Sequence, residues 1–248
     1  MSFDRRVKTG YVTLAQAVGR LSESIGLVAW LDARAAHMRV AHWARSLFSI
    51  HDIEALVALD VPWWTYDAIA RVEAHLTARP GARVFEWGAG ASTVWLARRA
   101  GSVHSIEHDA HWGARVARLL ETRGFAAGVT LEDVPADPTP DPDPLYRSAK
   151  AGERGRSFRA YARAIEGAGG PFDLIVIDGR ARAACLAHAI PHLARDGMIV
   201  FDNSRRRRYA AGLGESGLTA ERLAGLVPSL PYPDETTLLT RAGARIAP

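Results

Sequence analysis

The chain has 248 residues, 48% of them hydrophobic, enough to bury the core of one large domain or of one domain with a helical extension. Its formal net charge of +4 is a mild excess carried almost wholly by arginine, since Lys8 and Lys150 are the only lysines, and a total of that size does not mark a nucleic-acid binder. Cys185 stands alone, which excludes an internal disulfide and a cysteine-based zinc site.

The start of the chain has no signal-peptide pattern, because Asp4, Arg5 and Arg6 lead into no clean apolar run. The stretch 14–30 is broken by Arg20 and Glu23 and is too polar to span a bilayer, so a cytoplasmic protein without a membrane span is expected. Leu14, Val18, Leu21, Ile25 and Val28 recur at helical spacing and form one apolar stripe. Residues 46–59 continue similarly around Ile50, Ile53, Leu56 and Val57. Pro62 breaks the pattern, Thr65 or Asp67 caps a helix running to about Ala78, and Pro80-Gly81 is a turn. Residues 1–80 therefore read as an N-terminal helical extension and a candidate surface for homo-oligomers.

From Ala82 the texture alternates. Strands are predicted over 82–86, 102–107, 128–132, 172–178, 197–202 and 236–241, with helices over 92–99, 111–123 and 181–193. F-D-L-I-V-I-D, at 172–178, is apolar on both faces, as a central parallel strand must be. Residues 81–248 thus read as an α/β domain, an open parallel sheet covered on both sides. Between them, 134–145 places proline at nearly every second position with Asp137, Asp141 and Asp143 interspersed, and leads into a basic stretch at 150–159. Such a segment is extended and stiff. It is either a solvated connector or a lid, since it leaves the carboxyl end of a strand, where open α/β sheets place ligands.

The stretch V-F-E-W-G-A-G-A-S-T, Val84 to Thr93, joins a strand, a glycine turn and a helix start. Gly88 and Gly90 let the chain turn sharply and a ligand approach the backbone. Glu86 just before them would repel a diphosphate and attract an ammonium or sulfonium group. Dinucleotide motifs also want a third glycine, about where Thr93 stands. Glu107 closes the second strand some twenty residues on and can accept both hydroxyls of a ribose; Glu132 and Asp133 close the third, and Asp178 the fourth.

E-W-G-A-G-A-S-T, S-I-E-H-D, F-D-L-I-V-I-D-G and D-G-M-I-V-F-D-N together resemble the class I S-adenosylmethionine-dependent methyltransferases over about 82–203. The resemblance implies a Rossmann-like sheet of seven strands, mostly parallel with the last antiparallel. It also implies a cofactor set in which Glu86, Gly88, Ala89 and Gly90 line the methionine part, with Thr93 and Asp178 beside them. Glu107 would hold the ribose, and His108 or Asp133 would lie near the adenine.

Asp178, Asp202 and Asn203 are hard oxygen ligands at the ends of neighbouring strands, roughly 4.8 Å apart, a set suited to Mg²⁺. The pattern is similar to that of catechol and caffeoyl-CoA O-methyltransferases, which implies metal-assisted transfer. Those enzymes place a lysine shortly after the strand-four acid, whereas here Arg180 and Arg182 flank an alanine. Arginine stays protonated, so Arg182 beside a catalytic Asp178 would orient a substrate carboxylate or stabilise an oxyanion. A metal-free site in which the acids cap helices or orient substrate stands beside the metal reading. Arg205 to Arg208 is either a grip on an acidic or phosphorylated substrate or a solvated helix end. Absence of Asn-Pro-Pro-Tyr after the fourth strand disfavours base methylation, and no nucleic-acid module is evident. The expected activity is methyl transfer to an oxygen of a small molecule. The alternatives are a non-catalytic cofactor-binding or assembly protein and an RNA methyltransferase.

Overall fold

The computed structural model describes residues 27–49 and 52–245. The stripe expected at Leu14, Val18, Leu21 and Ile25 lies outside them. The helices are α1 (Leu27–Ala35), α2 (Arg39–Ser46), α3 (Ile53–Ala58), α4 (Tyr66–Thr77), α5 (Ala91–Ala97), α6 (Ala110–Thr122), α7 (Arg159–Arg163), α8 (Arg182–His192) and α9 (Ala210–Gly214). The strands are β1 (Arg83–Trp87), β2 (Ser102–Glu107), β3 (Val129–Asp133), β4 (Phe172–Ile177), β5 (Leu193–Asp202), β6 (Thr219–Gly225) and β7 (Asp234–Thr240). Among the described residues no helix is long and apolar enough to cross a membrane.

The strands form one sheet in the order β3-β2-β1-β4-β5-β7-β6. β1 pairs parallel with both β2 and β4, β4 pairs parallel with β5, and β7 runs antiparallel to both its neighbours. This is the expected sheet, with its order reversing between β1 and β4, and an open α/β sheet opens its ligand crevice at such a reversal.

Alternation along β1 explains the two cores. Val84 packs with Leu174, Val176 and Val200 against Trp64, Ala68, Val72 and Leu76 around α4. Phe85 and Trp87 point the other way, to Ile175, Ile177 and the small face of α8, Ala184, Cys185 and Ala189. Each fully buried Val, Leu or Ile contributes about 1.5–3 kcal/mol relative to exposure. A third cluster joins Ile53 and Val57 of α3 to Ala89, Val94 and Val116. From residue 53 onward the expected extension therefore shares its cores with the sheet.

Candidate active site

The turn after β1 is shaped by its glycines. Gly88 has φ +98°, and a Cβ there would meet Gly179 Cα and N at 2.8 Å. A Cβ on Gly179 would in turn run into the hydroxyl of buried Tyr161. The loops after β1 and β4 thus cross in backbone contact at the point where the strand order reverses.

Glu86 braces this turn from beneath. It is fully buried and accepts hydrogen bonds from Ser92 Oγ (2.5 Å), Thr93 Oγ1 (2.6 Å) and Ser105 Oγ (2.6 Å). Thr93 Oγ1 also accepts from the Gly90 amide at 2.9 Å. Burial pushes the Glu86 carboxyl up to about 7, against the pull of its three hydroxyl donors. The expectation that Glu86 and Thr93 face a ligand is corrected here. Alternation on β1 turns Glu86 toward the first turn of α5, and both residues are enclosed. Asp133 is exposed at the end of β3 and does not line the crevice either.

The crevice has a volume of about 360 Å³. Gly88, Ala89, Gly90, Glu107, His108 and Asp178 line it. Glu107 Oε1 accepts the amides of His108 (2.8 Å) and Asp109 (2.9 Å), and His108 Nδ1 lies 2.5 Å from the same oxygen. No described residue donates to Oε2, so it could accept the hydroxyls of a sugar. Sequence reasoning missed Trp112, whose Nε1 donates to Ala89 O at 2.7 Å and fixes the glycine turn. Asp109 was the available signal: it caps α6 by accepting from His111 and Trp112 amides and so aims the first turn of that helix. Ile53 and Leu56 of α3, Trp63, Lys150 and Glu153 complete the wall.

At the ends of β4 and β5 the two acids are joined by an arginine. Arg182 Nε donates to Gly179 O (3.1 Å), Nη1 to Asp202 O and Oδ2 (3.4 Å), and Nη2 to Asp178 O (2.8 Å) and Oδ1 (2.7 Å). All five N–H groups of the guanidinium are therefore engaged. Asp202 Oδ1 accepts from Thr236 Oγ1 at 3.0 Å, and Asn203 Nδ2 donates to Asp234 Oδ2 at 3.0 Å. Burial pushes Asp178 up, offset by Arg182, and pushes Asp202 up to about 8, helped by the charge of Asp178.

This corrects two expectations. A fixed cation already stands between Asp178 and Asp202, and Asn203 is turned to Asp234. The set expected for Mg²⁺ therefore does not fit the ion, and among the described residues no group of three or more His, Cys, Asp or Glu could hold a metal. Arg182, with its donors spent inside the protein, has none left for a substrate carboxylate or oxyanion.

A second cavity of about 980 Å³ adjoins the first. Trp63, Lys150, Asp178, Gly179 and Arg180 line both, so Asp178 sits on their common wall. Its other walls include Leu145 and Arg147 from the proline-rich segment, Arg206, Arg208 and Tyr209 after β5, and Leu230. The segment 134–159 thus walls a cavity as well as connecting β3 to α7. Asp141, buried within it, is held by Arg159 (2.7 and 3.0 Å) and Ser157 (2.6 Å).

Comparison with known proteins agrees with this geometry. Residues 85–204 match the family described as a methyltransferase domain. Cofactor-bound Rv0187 from MTB is 26% identical, with a TM-score of 0.52 over 76% of this chain and 87% of that one. The O-methyltransferase TomG from Streptomyces achromogenes, solved in complex with SAM, is 20% identical, with a TM-score of 0.52 over 76% and 88%. The O-methyltransferase from Bacillus cereus, in complex with SAH, is 17% identical, with a TM-score of 0.53 over 76% and 90%. No curated protein matches the chain. The matched domain and the shared fold support an enzyme, an S-adenosylmethionine-dependent methyltransferase.

Proposed function

We propose that this enzyme methylates a hydroxyl oxygen of a small molecule seated in the 980 Å³ cavity, with the cofactor in the adjoining crevice. In this reading Glu107 Oε2 takes the ribose hydroxyls, and the turn from Gly88 to Gly90, with Trp112, Ile53 and Leu56, holds the rest of the nucleoside. When bound, S-adenosylmethionine supplies a sulfonium methyl group for in-line displacement by the acceptor oxygen, with S-adenosylhomocysteine leaving. The protein must hold acceptor and methyl donor in line, which alone supplies much of the rate, and must take the hydroxyl proton.

Asp178 is placed for that proton, and its position on the wall shared by both cavities carries the proposal. A carboxylate whose burial raises its proton affinity is a better base near neutral pH than an exposed one. Arg182 is a positioning residue: it holds Asp178 and ties it to the end of β5. No step requires a divalent ion.

Calorimetric titration with S-adenosylhomocysteine and single-turnover kinetics of Asp178→Asn test this reading. Folded protein is expected to bind the product. The variant is expected to keep that binding and lose roughly 10²–10⁴ in kcat. No heat from folded protein would remove the cofactor assignment to this crevice. Lost product affinity with kcat intact would make Asp178 a cofactor anchor and not the base.

A further inference from the structure

Several arginines elsewhere on this molecule sit beside carboxylates, whereas Arg79, Arg83 and Arg241 donate to backbone carbonyls. Arg39 pairs with Asp67, Arg71 with Glu221, Arg115 with Glu54 and Arg163 with Glu166, while Arg98 and Arg99 share Asp60. In the large cavity arginines without a carboxylate partner gather around one space. Of its lining acids, Asp178 and Asp202 are both engaged by Arg182. Of its remaining cations, Arg147, Arg206 and Arg208 form no ion pair with a carboxylate among the described residues. Arg147 donates to the carbonyls of Asp141 (2.7 Å) and Pro142 (3.1 Å), which fixes the guanidinium without neutralising it. Arg208 stacks over the Tyr209 ring at 4.7 Å and donates to its hydroxyl at 3.1 Å. The side chain of Arg206 forms no hydrogen bond to a described residue. Within the run Arg205 to Arg208, only Arg206 and Arg208 line the cavity, so a run expected to be either a grip or a solvated end is divided between the two.

Arg147, Arg206 and Arg208 line the acceptor cavity and not the cofactor crevice, so the cofactor's own carboxylate does not account for them. They come from two separate segments, 134–159 and the stretch after β5, and line one half-open cavity. Three uncompensated guanidiniums facing one cavity repel each other, and an anion relieves that repulsion while receiving planar, paired donors. The volume lies at the upper end of small-molecule sites and is concave, unlike the flat or grooved basic faces that follow a nucleic-acid backbone.

Resting on the methyltransferase reading above, we infer that the acceptor is a small hydroxylated anion. Its phosphate or carboxylate is held by Arg206, Arg208 and Arg147, and its hydroxyl reaches Asp178.

Calorimetry on the full chain, first saturated with S-adenosylhomocysteine, tests this with three probes: inorganic pyrophosphate, citrate and a short oligouridylate. Heat from the first saturation reports the cofactor reading by itself, so its failure is separate from failure of the anion site. One of the two small anions is expected to bind saturably, with affinity falling as salt is raised. The Arg206→Ser/Arg208→Ser double variant should lose about tenfold or more of that affinity, whereas Arg206→Lys/Arg208→Lys should keep most of it. Both variants should bind S-adenosylhomocysteine as the parent does. Preference for pyrophosphate assigns a phosphorylated acceptor, and preference for citrate a carboxylated one. The inference is overturned if cofactor-loaded protein binds neither small anion, or if their affinity is the same in the serine variant. It is overturned in favour of RNA if only the oligonucleotide binds and the serine variant abolishes that binding. Should the serine pair fail to fold, binding that does not weaken with salt in the parent chain would overturn the inference too.

Discussion

A carboxylate that sequence placed in the ligand site turns out to be a buried strut. Glu86 is fully buried with no cation partner, and that burial favours its neutral form against the pull of its three hydroxyl donors. Its folded pKa of about 7 lies above the ordinary 4.5. The associated stability is fully present below about 4.5 and is lost as pH rises through 7, amounting to roughly 3 kcal/mol for a shift of that size. Glu86→Gln, which removes the titration, is expected to flatten the fall in melting stability between pH 5 and pH 8. Equal slopes in the two proteins would mean that Glu86 is already ionised in the fold. The neighbouring acids behave differently because Arg182 joins them. Since its guanidinium fills the space between Asp178 and Asp202, exhaustive chelation should leave turnover unchanged. Activity that disappears on chelation and returns with Mg²⁺ would show that Arg182 swings away in the working enzyme.

At the scale of elements, the segment 134–159 is tied across itself by one buried carboxylate, while Tyr146 and Phe158 pack it into the core. Asp141 accepts both arms of Arg159, which holds its carboxyl well below the usual range, and Ser157 pairs across to Asp137 in a short bridge. Asp141→Asn removes one of the two charges and should free the wall that carries Arg147 and Lys150. Limited proteolysis is expected to cut within 134–159 severalfold faster in the variant, with the sheet core untouched; an unchanged cleavage rate would mean that proline stiffness and the packing of Tyr146 and Phe158 hold the segment without this pair. The sequence could not announce this tie, because Asp141 and Arg159 stand eighteen residues apart with no periodicity to link them. The elements it did announce share a different property. β4 buries F-D-L-I-V-I on both faces, a pattern that few other settings produce. Gly88 was legible because the backbone turns there at positive φ with no room for a Cβ, and Glu107 because it closes the next strand. β6 was invisible: T-A-E-R-L-A-G offers one half-buried leucine, and its strand form comes from pairing with β7 at the sheet edge. Arg182 was visible as a residue but not as a bridge, since its role depends on the end of β5 lying beside that of β4.

Across the whole molecule, the site draws on nearly every part of the chain. α3 supplies Ile53 and Leu56, the sheet supplies Gly88, Glu107 and Asp178, and the segment after β3 supplies Lys150 and Glu153. The helices before residue 80 also share cores with β1, β4 and β5, through Trp64, Val72 and Leu76. A ligand in this crevice therefore stabilises contacts from several regions at once, and the regions should melt together. With S-adenosylhomocysteine at a hundred times its Kd, linkage adds about 2.7 kcal/mol to the native state. For a chain of this size that corresponds to a rise in Tm of roughly 5–10 °C. Differential scanning calorimetry should show one transition that moves as a unit. Two transitions, only one of them shifted by the ligand, would mean that the N-terminal helices fold apart from the sheet and that the wall formed by Ile53 and Leu56 closes over the crevice without sharing its stability.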